Sequence, residues 1–502
     1  MEQMQVRLYS RDFSRIVQSP IEFRADRLTW KALGGPAEAL LTGNPTRKDW
    51  LTCSAEWAVD ALALPVMVTN QTGEKVWWGY VQRVELQENG LRLVYDLAEL
   101  ANRICVEFWQ PEPQLEWTGA RTFTNWADDP DSQRIYGVKE RIFRLRSMDE
   151  SEALQSRDGL LAQFSRPQPH VSQVAAGQRL PRVRLVCSGW WETLDWRYAR
   201  FNDGYQGFVK PGLTSQSFGR IANTDARVAQ SFQTSYGDWL CGEVVVNIRA
   251  AGSNTDQVIC ELCADAGGVP GSVLASAAVN ASAASNVRWW VKFLFGTRPA
   301  ILANTPYWLV FSRSGALSTA NFYQLYTDTA NSYPGGKLMN WNGSAWVDVG
   351  SGAADINFYT TGFISRLTRI QKLAAVERGG QFLTGLQVNS IVGGDTLLRR
   401  EGIQDCQSEL TDLLAQGDSS GKRLLALVEA DRRLVIFSQP AEADWQISLD
   451  SKGVLRRRSG RAVWSHDLPA GQRMQLSNGW LQTHPLIETV EWTPEGGLQV
   501  KW

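Results

Sequence analysis

Histidine, excess basic charge and long hydrophobic runs are all scarce in this chain, and each shortage excludes a class of function. Only 3 of the 502 residues are histidine, and 51 basic residues are balanced by 52 acidic ones. Nucleic-acid-binding proteins usually concentrate basic charge, so no recognition of a nucleic-acid sequence is expected. The longest apolar run, 61–68, contains Pro65 and is too short to span a membrane. Because no secretory signal is evident either, we expect synthesis in a cytoplasm.

Cysteine is present, but its spacing matches neither a disulfide framework nor a metal site. The seven cysteines are odd in number and mostly scattered, which argues against a set of disulfides. Cys260 and Cys263 form the one close pair, in the alternating run Q-V-I-C-E-L-C-A. Residues three apart on a strand point to opposite faces, and the chain has too few histidines to complete a zinc site. No cofactor and no metal is expected.

Charged residues are distributed unevenly, and this divides the chain. Residues 214–363 carry 8 basic and 9 acidic side chains, about 11% of the segment, whereas the rest of the chain is about 24% charged. The two regions on either side resemble each other in composition more than either resembles this block. We therefore predict a first domain at 1–175, a connector at 176–213, an inserted domain at 214–363 and a second flanking domain at 364–502.

Alternating apolar and polar residues predict β-structure throughout the inserted block. In the run R-W-W-V-K-F-L-F at 288–295, Val291 and Phe293 share one face, whereas Lys292 and Leu294 share the other. Turn clusters such as G-G-V-P-G-S and W-N-G-S separate about eight strands of this kind, and no helix is indicated. This pattern predicts an antiparallel sandwich or jelly roll.

The first flank is predicted to contain hairpins and short helices. A hairpin over 81–95 is indicated by the Asn-Gly pair at 89–90. A helical turn is predicted at 36–41, and a second helix is predicted to start at Asp96, with Glu99 completing its cap.

The second flank repeats the order of helix and then hairpin. An apolar stripe from Cys406 to Leu414 predicts a helix that ends at Gly417. A hairpin is predicted over 424–437. The repeated order suggests a structural duplication of the two flanks, although no repeat of individual residues is evident.

Three sequence cues in the inserted block resemble a family of jelly-roll modules found on surface and phage proteins. They are A-Q-S-F at 229, C-E-L-C-A-D-A-G-G-V-P-G-S-V-L-A-S at 260 and L-A-N-T-P-Y-W-L-V-F at 302. Such modules resemble carbohydrate-binding domains in architecture. The resemblance implies an adhesive or decorative role for the block.

The flanks are similar to the hub proteins of bacteriophage tail tips. The similarity is carried by V-W-W-G-Y-V-Q-R-V-E-L, by the following L-A-E-L-A-N-R-I, and by N-W-A-D-D-P-D-S-Q-R-I-Y-G. The resemblance implies a mainly β fold with two related β-barrels in each subunit. It implies a homotrimer whose six barrels cap a six-fold tail tube, with the tube, the distal tail protein and a central fibre or spike as partners. The expected location is the tip of the virion tail.

Aromatic and amide side chains near the end of the inserted block are the candidate contacts for a host-surface glycan. Ring faces stack on sugars, and amides hydrogen-bond to hydroxyl groups. The alternative is that these rings fill the sandwich core or pair across strands. The candidates are Tyr323, Tyr326, Tyr333, Trp341, Asn342 and Trp346.

An enzyme, such as a tail-borne glycan or peptidoglycan hydrolase, is the rival class. A glycosidase needs two carboxylates at a fixed separation, and no local pattern selects such a pair. Ser465-His466-Asp467 has the letters of a catalytic triad, but adjacent residues on an extended chain cannot converge as a relay. We therefore expect no enzyme activity. A distal tail ring protein and a lectin-like adhesin stay open as alternatives to the hub.

Overall fold

The computed structural model describes most of the chain. The described residues are 4–46, 55–88, 90–110, 120–146, 148–173, 181–199, 205–208, 214–220, 225–234, 239–329, 331, 333–397, 404–439, 445–449, 455–457, 474–477, 482–483, 488–495 and 497–501. Residues 465–467 therefore lie outside them. By contacts the chain divides into two compact units. Unit 1 comprises Met1–Ala199, Ile370–Val392 and Gln404–Trp502, and unit 2 comprises Arg200–Arg369 and Gly393–Ile403.

The chain is mainly β, as predicted, and its helices are few and short. The helices are α1 (Ala55–Ala61), α2 (Pro130–Tyr136), α3 (Glu150–Phe164), α4 (Arg366–Ala374) and α5 (Cys406–Ala415). The strands before unit 2 are β1 (Gln5–Tyr9), β2 (Ile16–Val17), β3 (Arg24–Lys31), β4 (Gly35–Gly43), β5 (Pro65–Thr69), β6 (Lys75–Glu88), β7 (Leu91–Asp96), β8 (Arg103–Gln110), β9 (Ala120–Phe123), β10 (Ala127–Asp128), β11 (Glu140–Arg144), β12 (His170–Gln173) and β13 (Arg182–Ser188).

The remaining strands follow in chain order. They are β14 (Tyr205–Phe208), β15 (Thr214–Phe218), β16 (Arg227–Gln233), β17 (Trp239–Ala251), β18 (Gln257–Asp265), β19 (Pro270–Asn280), β20 (Trp289–Leu294), β21 (Ala300–Ile301), β22 (Pro306–Arg313), β23 (Phe322–Asp328), β24 (Leu338–Trp341), β25 (Trp346–Asp348), β26 (Asp355–Ile356), β27 (Phe358–Ser365), β28 (Gly385–Val388), β29 (Asp395–Leu397), β30 (Leu424–Val428), β31 (Arg433–Ser438), β32 (Trp445–Leu449), β33 (Leu455–Arg457), β34 (Met474–Ser477), β35 (Gln482–Thr483), β36 (Thr489–Thr493) and β37 (Gly497–Lys501).

Unit 1 joins the two flanks in one sheet and one core. The path of its largest sheet is β2-β1-β5-β6-β13-β4-β3-β36-β37. Strand β36 comes from the second flank and pairs antiparallel with β3, so that Trp30 lies opposite Val490. The buried cluster likewise combines residues of the first flank, such as Leu28, with residues of the second, such as Leu410. The structure therefore differs from a division into two separate flanking domains, because neither flank closes this sheet alone.

The segment V-W-W-G-Y-V-Q-R-V-E-L contains the pattern W-x-G-x-V at Trp77, Gly79 and Val81, and its strand β6 lies in the interior of this sheet. Strand β6 pairs with β5 on one side and β13 on the other, and Trp77 and Val81 are buried. A Cβ atom at Gly79 would lie 2.1 Å from the carbonyl oxygen of Ser188. Only glycine permits this approach of two backbones. The glycine of the motif is thus required by the packing of β6 against the end of β13.

The segments A-N at 101–102 and A-D-D-P-D-S-Q-R-I-Y-G at 127–137 form a hydrogen-bond network around Asn102. The Asn102 amide donates to Ser132 Oγ at 3.2 Å and to Gly137 O at 2.8 Å, while its Oδ1 accepts the backbone N–H of Lys139 at 2.8 Å. Gln133 Nε2 donates to the Asn102 carbonyl oxygen at 2.9 Å. Asn102 is fully buried. The A-N and A-D-D-P-D-S-Q-R-I-Y-G segments are therefore parts of one local structure.

Some local predictions are confirmed. The hairpins over 81–95 and 424–437 form as β6–β7 and β30–β31. Helix α5 follows the predicted apolar stripe, and Gly417 beyond its end has φ +77°. Asp129 caps α2 by accepting the backbone N–H of Ser132 at 2.9 Å.

Other local predictions are wrong. Residues 36–41 form part of strand β4, because Ala39 and Leu41 are buried between β3 and β13. Asp96 begins a turn and no helix, since its carboxylate accepts the N–H of Ala98 and strand β8 begins at Arg103. Tertiary pairing thus overrides local helix propensity at both places.

Residues 150–199 also differ from the prediction, which assigned 176–213 to a connector. Helix α3 occupies 150–164, and a capping box formed by Asp149 and Glu152 fixes its start. Strand β13 lies inside the large sheet, although its residues were assigned to the connector. The Trp-rich segment Trp190–Trp196 is a 3₁₀ helix whose tryptophans are buried.

Unit 2 is a sandwich of two antiparallel sheets. Sheet I has nine strands: β14-β27-β17-β23-β15 form its main path, β20 and β21 pair with β17, β26 pairs with β23, and β29 pairs with β27. Sheet II has six strands in the order β19-β18-β22-β16-β24-β25. Their facing sides form one core, in which Phe293 of sheet I meets Phe311 of sheet II with ring centroids 6.1 Å apart. Cys260 lies in this core, whereas Cys263 lies on the opposite face of sheet II, as the alternation predicts.

A buried ion pair joins the two sheets at one end of the sandwich. Asp256, in the connection from β17 to β18, accepts Arg313 Nε at 2.7 Å, the Tyr323 hydroxyl at 2.9 Å and the N–H of Gly315 at 3.1 Å. The Asp256 and Arg313 side chains are only 11% and 7% exposed. Burial alone would raise the pKa of the Asp256 carboxyl, but these hydrogen bonds together lower it.

No helix within the described residues is long and apolar enough to cross a membrane. In the same part of the chain, no group of three or more His, Cys, Asp or Glu side chains could hold a metal ion.

Replacing Asp256 with asparagine should destabilise unit 2 by about 3 kcal/mol, because the buried Arg313 guanidinium loses its counter-ion. The lowered pKa gives the parent protein stability that is fully present above about pH 4, the unfolded value, and is lost as the pH falls through the folded value. The stability of the variant should therefore change less as the pH is lowered. Hydrogen exchange of β22 and β23 as a function of pH measures both effects. Asp348→Asn, at an exposed ion pair, is the control and should change stability by less than about 1 kcal/mol.

Candidate ligand-binding face

Two of the predicted glycan contacts face each other on the outer side of sheet II. Strands β24 and β25 form a hairpin in which Trp341 lies opposite Trp346, with ring centroids 5.5 Å apart and planes inclined by 62°. Asn342 begins the turn, and its Oδ1 accepts the backbone N–H groups of Ser344 at 3.0 Å and Ala345 at 2.8 Å. Both rings are half-buried. We call this pair and the surface around it the tryptophan face.

An ion pair borders the two rings. Arg227 lies opposite Trp341 on the neighbouring strand β16, and its guanidinium carbon lies 5.8 Å from the centre of the Trp346 ring. The same side chain binds Glu261 on β18, with Nη2 2.6 Å from Oε2. The arginine is 40% exposed and the glutamate 21%. The face therefore offers flat apolar rings beside charged hydrogen-bonding groups that water can reach.

A compact apolar layer supports the tryptophan face from below. Trp346 packs on a cluster whose members all lie on the outer side of sheet II, and Trp308 within it is only 1% exposed. Trp308 Nε1 donates to Asp265 Oδ1 at 2.8 Å. The full cluster is Ala229, Cys263, Trp308, Val310 and Met339. Because its base is packed, the exposed Trp pair is held in place before any ligand arrives.

Asp265 keeps its charge at the edge of this layer. Burial alone would raise the pKa of its carboxyl, but hydrogen bonds from Trp308 and from the N–H groups of Gly268 and Gly267 together lower it. Lys337 Nζ lies 5.8 Å from the centre of the Trp308 ring and 3.4 Å from Asp348.

The structure places Tyr323 inside the sandwich, which corrects its assignment as a glycan contact. Tyr323 is fully buried and stacks on Phe218 with ring centroids 5.5 Å apart. Tyr333 is half-buried against the same core. It packs against Phe358, and its hydroxyl donates to the Gln233 carbonyl oxygen at 3.1 Å. Burial raises the pKa of Tyr333 to about 12. For Tyr323 the alternative of a core position holds.

Tyr326 is separated from the tryptophan pair, because it belongs to strand β23 of sheet I. It alternates with the buried Tyr323 and Leu325 and therefore points outward. The Arg288 guanidinium carbon lies 4.6 Å from the centre of its ring. The six predicted residues thus divide into an outward pair with its turn amide, one core tyrosine (Tyr323), one half-buried tyrosine (Tyr333) and one outward tyrosine on the other sheet (Tyr326).

Arg227 and Glu261 are parts of the tryptophan face that the sequence analysis missed. Both precede the Trp341 hairpin by many residues, so only the register of sheet II brings them beside it. The ring pair Trp290 and Tyr359, with centroids 5.8 Å apart on sheet I, was missed as well. The alternation that placed Lys292 and Leu294 on the non-core side was a signal for Trp290.

No protein-family profile matches the chain. No curated protein matches it either.

Several solved structures show weak likeness. A clostridial cysteine protease after propeptide cleavage matches with 10% identity, 39% of this chain, 45% of the protease and a TM-score of 0.24. A family 43 arabinoxylan arabinofuranohydrolase from Bacillus subtilis in complex with cellotetraose matches with 10% identity and a TM-score of 0.14, and the match covers 58% of this chain and 63% of the hydrolase. The Cry4Aa toxin of Bacillus thuringiensis matches with 9% identity, 64% and 56% coverage and a TM-score of 0.17. The chain spans less than two thirds of each of these proteins, and the scores are too low to indicate a shared overall fold.

Alanine substitutions should separate the supporting tryptophan from the exposed ones. Trp308→Ala should cost about 3–5 kcal/mol, because it opens a cavity under the face and removes the indole donor of Asp265. Trp341→Ala should cost only about 1 kcal/mol, since its ring is only partly buried. Thermal unfolding and hydrogen exchange of β16 and β22 measure the difference. Equal losses for the two variants would contradict this assignment of a buried support and an exposed surface.

Proposed function

We propose that this chain is a structural component of a bacteriophage tail tip, in which unit 1 forms a hub ring at the distal end of the tail tube. The hydrogen-bond network around Asn102 is the observation that supports this proposal. It draws together two segments, A-N at 101–102 and A-D-D-P-D-S-Q-R-I-Y-G at 127–137, that resemble hub proteins and are separate in sequence. The polar residues of these segments hydrogen-bond to one another. This supports the proposal that the chain has the local architecture of the hub proteins that the segments resemble.

The second resemblance motif supports the same proposal from another part of unit 1. The glycine of W-x-G-x-V is needed where β6 approaches Ser188, and the Trp and Val of the motif are buried. Both motifs therefore describe how the scaffold is built and contain no reacting group. In this proposal unit 1 assembles as a homotrimer and contacts the tail tube, the distal tail protein and a central fibre or spike. Its location is the virion tail tip, and no catalytic role is proposed.

We propose further that unit 2 binds host-surface glycans through the tryptophan face. Trp341 and Trp346 present rings in two orientations, which suits stacking on the apolar faces of successive sugar units. Arg227 and Glu261 supply donors and acceptors for hydroxyl groups at the rim. The Asn342 oxygen is engaged in the turn, so its contribution is to hold the hairpin.

The full-length protein should bind a subset of bacterial surface glycans on an array. Trp341→Ala and Trp346→Ala should each weaken binding by at least about tenfold, because each removes a stacking surface. Trp289→Ala is the matched control, since this ring is 62% exposed on sheet I, and it should leave binding unchanged. Silence of the parent protein across the array would refute the glycan-binding role and leave the hub proposal intact.

Assembly tests the hub proposal separately. The purified chain should form trimers at high concentration, and electron microscopy of tail particles should show it as a ring at the distal end of the tube. Gly79→Ala should prevent assembly, because the added Cβ displaces β6 from β13. Gly159→Ala, at an exposed position of helix α3 with nothing within 4 Å of the added Cβ, is a control that leaves unit 1 unchanged. A protein that stays monomeric and is absent from every tail particle would contradict the proposal.

A further inference from the structure

Unit 1 contains an aromatic pocket that the proposed assembly role does not use. Its volume is about 350 Å³, which is within the size range of small-ligand sites. Four aromatic side chains line it, together with two basic residues and one acidic one. These are Tyr9, Phe13, Trp78 and Trp190, with Lys75, Arg432 and Asp431.

Two of the lining residues have backbone conformations that their side chains disfavour. Phe13 has φ +61° and Arg432 has φ +67°. Both lie in connections between paired strands, Phe13 between β1 and β2 and Arg432 between β30 and β31. Glycine or asparagine adopts this region at lower cost. Strained backbone of this kind clusters at binding sites, where the surrounding structure holds a side chain in a required place.

The two strained residues meet each other at the pocket. The Arg432 guanidinium carbon lies 3.6 Å from the centre of the Phe13 ring. The turn that holds Arg432 is closed by backbone hydrogen bonds between Glu429 and Arg433 and from Arg432 to Glu429, at 2.9 and 2.8 Å. The strain therefore places a guanidinium flat against an aromatic ring at the wall of the pocket.

The aromatic walls are held rigidly. Trp78 Nε1 donates to the Val428 carbonyl oxygen at 2.8 Å, which fixes its indole. Trp190 is buried, and its ring centroid lies 5.4 Å from that of Phe13 and 5.6 Å from that of Phe382. A pocket with fixed walls loses little entropy when it accepts a flat ring.

The charge of the pocket favours an anion. Arg432 and Lys75 provide two positive charges, and Asp431 offsets one of them. Among the described residues, the Arg432 guanidinium donates one hydrogen bond, to the Phe382 carbonyl oxygen at 3.3 Å. The guanidinium group has five N–H donors, and its fork matches the two oxygens of a carboxylate.

We propose that this pocket is a binding site for a small aromatic carboxylate. The ring of the ligand stacks among Phe13, Trp78 and Trp190, and its carboxylate binds the free N–H groups of Arg432, with Lys75 at the rim. This site belongs to unit 1, whereas the tryptophan face belongs to unit 2.

Indole-3-acetate and indole-3-acetamide are a matched pair of probes, because they differ only in the carboxylate. Titration calorimetry and saturation-transfer NMR on the full-length protein should give a dissociation constant on the order of 1 mM or lower for the acid. The neutral amide should bind at least about tenfold more weakly, since it cannot form the charge-assisted pair.

Arg432→Gly separates the binding role from a structural one. Glycine suits φ +67°, so the variant should keep the thermal stability of the parent while losing at least about tenfold in affinity for indole-3-acetate. Ser351→Gly is the matched control, because it relieves a positive φ of 57° in unit 2, and it should bind the acid normally. The proposal is overturned if the parent binds neither probe, if it binds both equally, or if Arg432→Gly is stable and binds the acid as the parent does.

Discussion

The pairing of β36 with β3 is the constraint on which the organisation of this protein depends. It joins Trp30 to Val490 across almost the whole chain, so the first flank cannot complete its sheet until the second has been made. Loop closure over such a distance is entropically costly, and sheets with distant partners fold slowly. Unit 2 lies between the two strands in the sequence, so it must fold without them. Unit 2 meets this need because its own sheets close around a separate core.

The sequence predicted an element well where that element buries only one of its faces. Strand β20 of unit 2 buries one face, so the alternation of Val291 and Phe293 with Lys292 and Leu294 was sufficient to predict it. Residues 36–41 have a helical composition, but β4 lies between two strands, and pairing decided its conformation. Helix α3 was missed because it buries only Ala153, so it has no apolar stripe to detect.

The candidate site shows the same limit in another form. The Trp341 hairpin was predictable, because W-N-G-S-A-W contains both the ring pair and its turn. The sequence did not predict which tyrosines lie in the core. Tyr323 and Tyr326 differ only in the face of β23 that each occupies, and the contacts of Tyr323 with Asp256 and Phe218 determine which face points inward. Arg227 could not be predicted for a different reason. Its cross-strand neighbour Trp341 is more than a hundred residues away in the sequence, and such a pair leaves no local pattern.

The strands by which the chain enters and leaves unit 2 have a consequence for how such a protein can change. Strand β27 pairs with β14 near the start of the unit and with β29 in its second segment, so these strands are hydrogen-bonded neighbours in sheet I. Ends that lie side by side, about 5 Å apart as paired strands are, can be rejoined by a short turn. A scaffold with this connection can exchange one sandwich for another without altering the sheet that holds its own two flanks together.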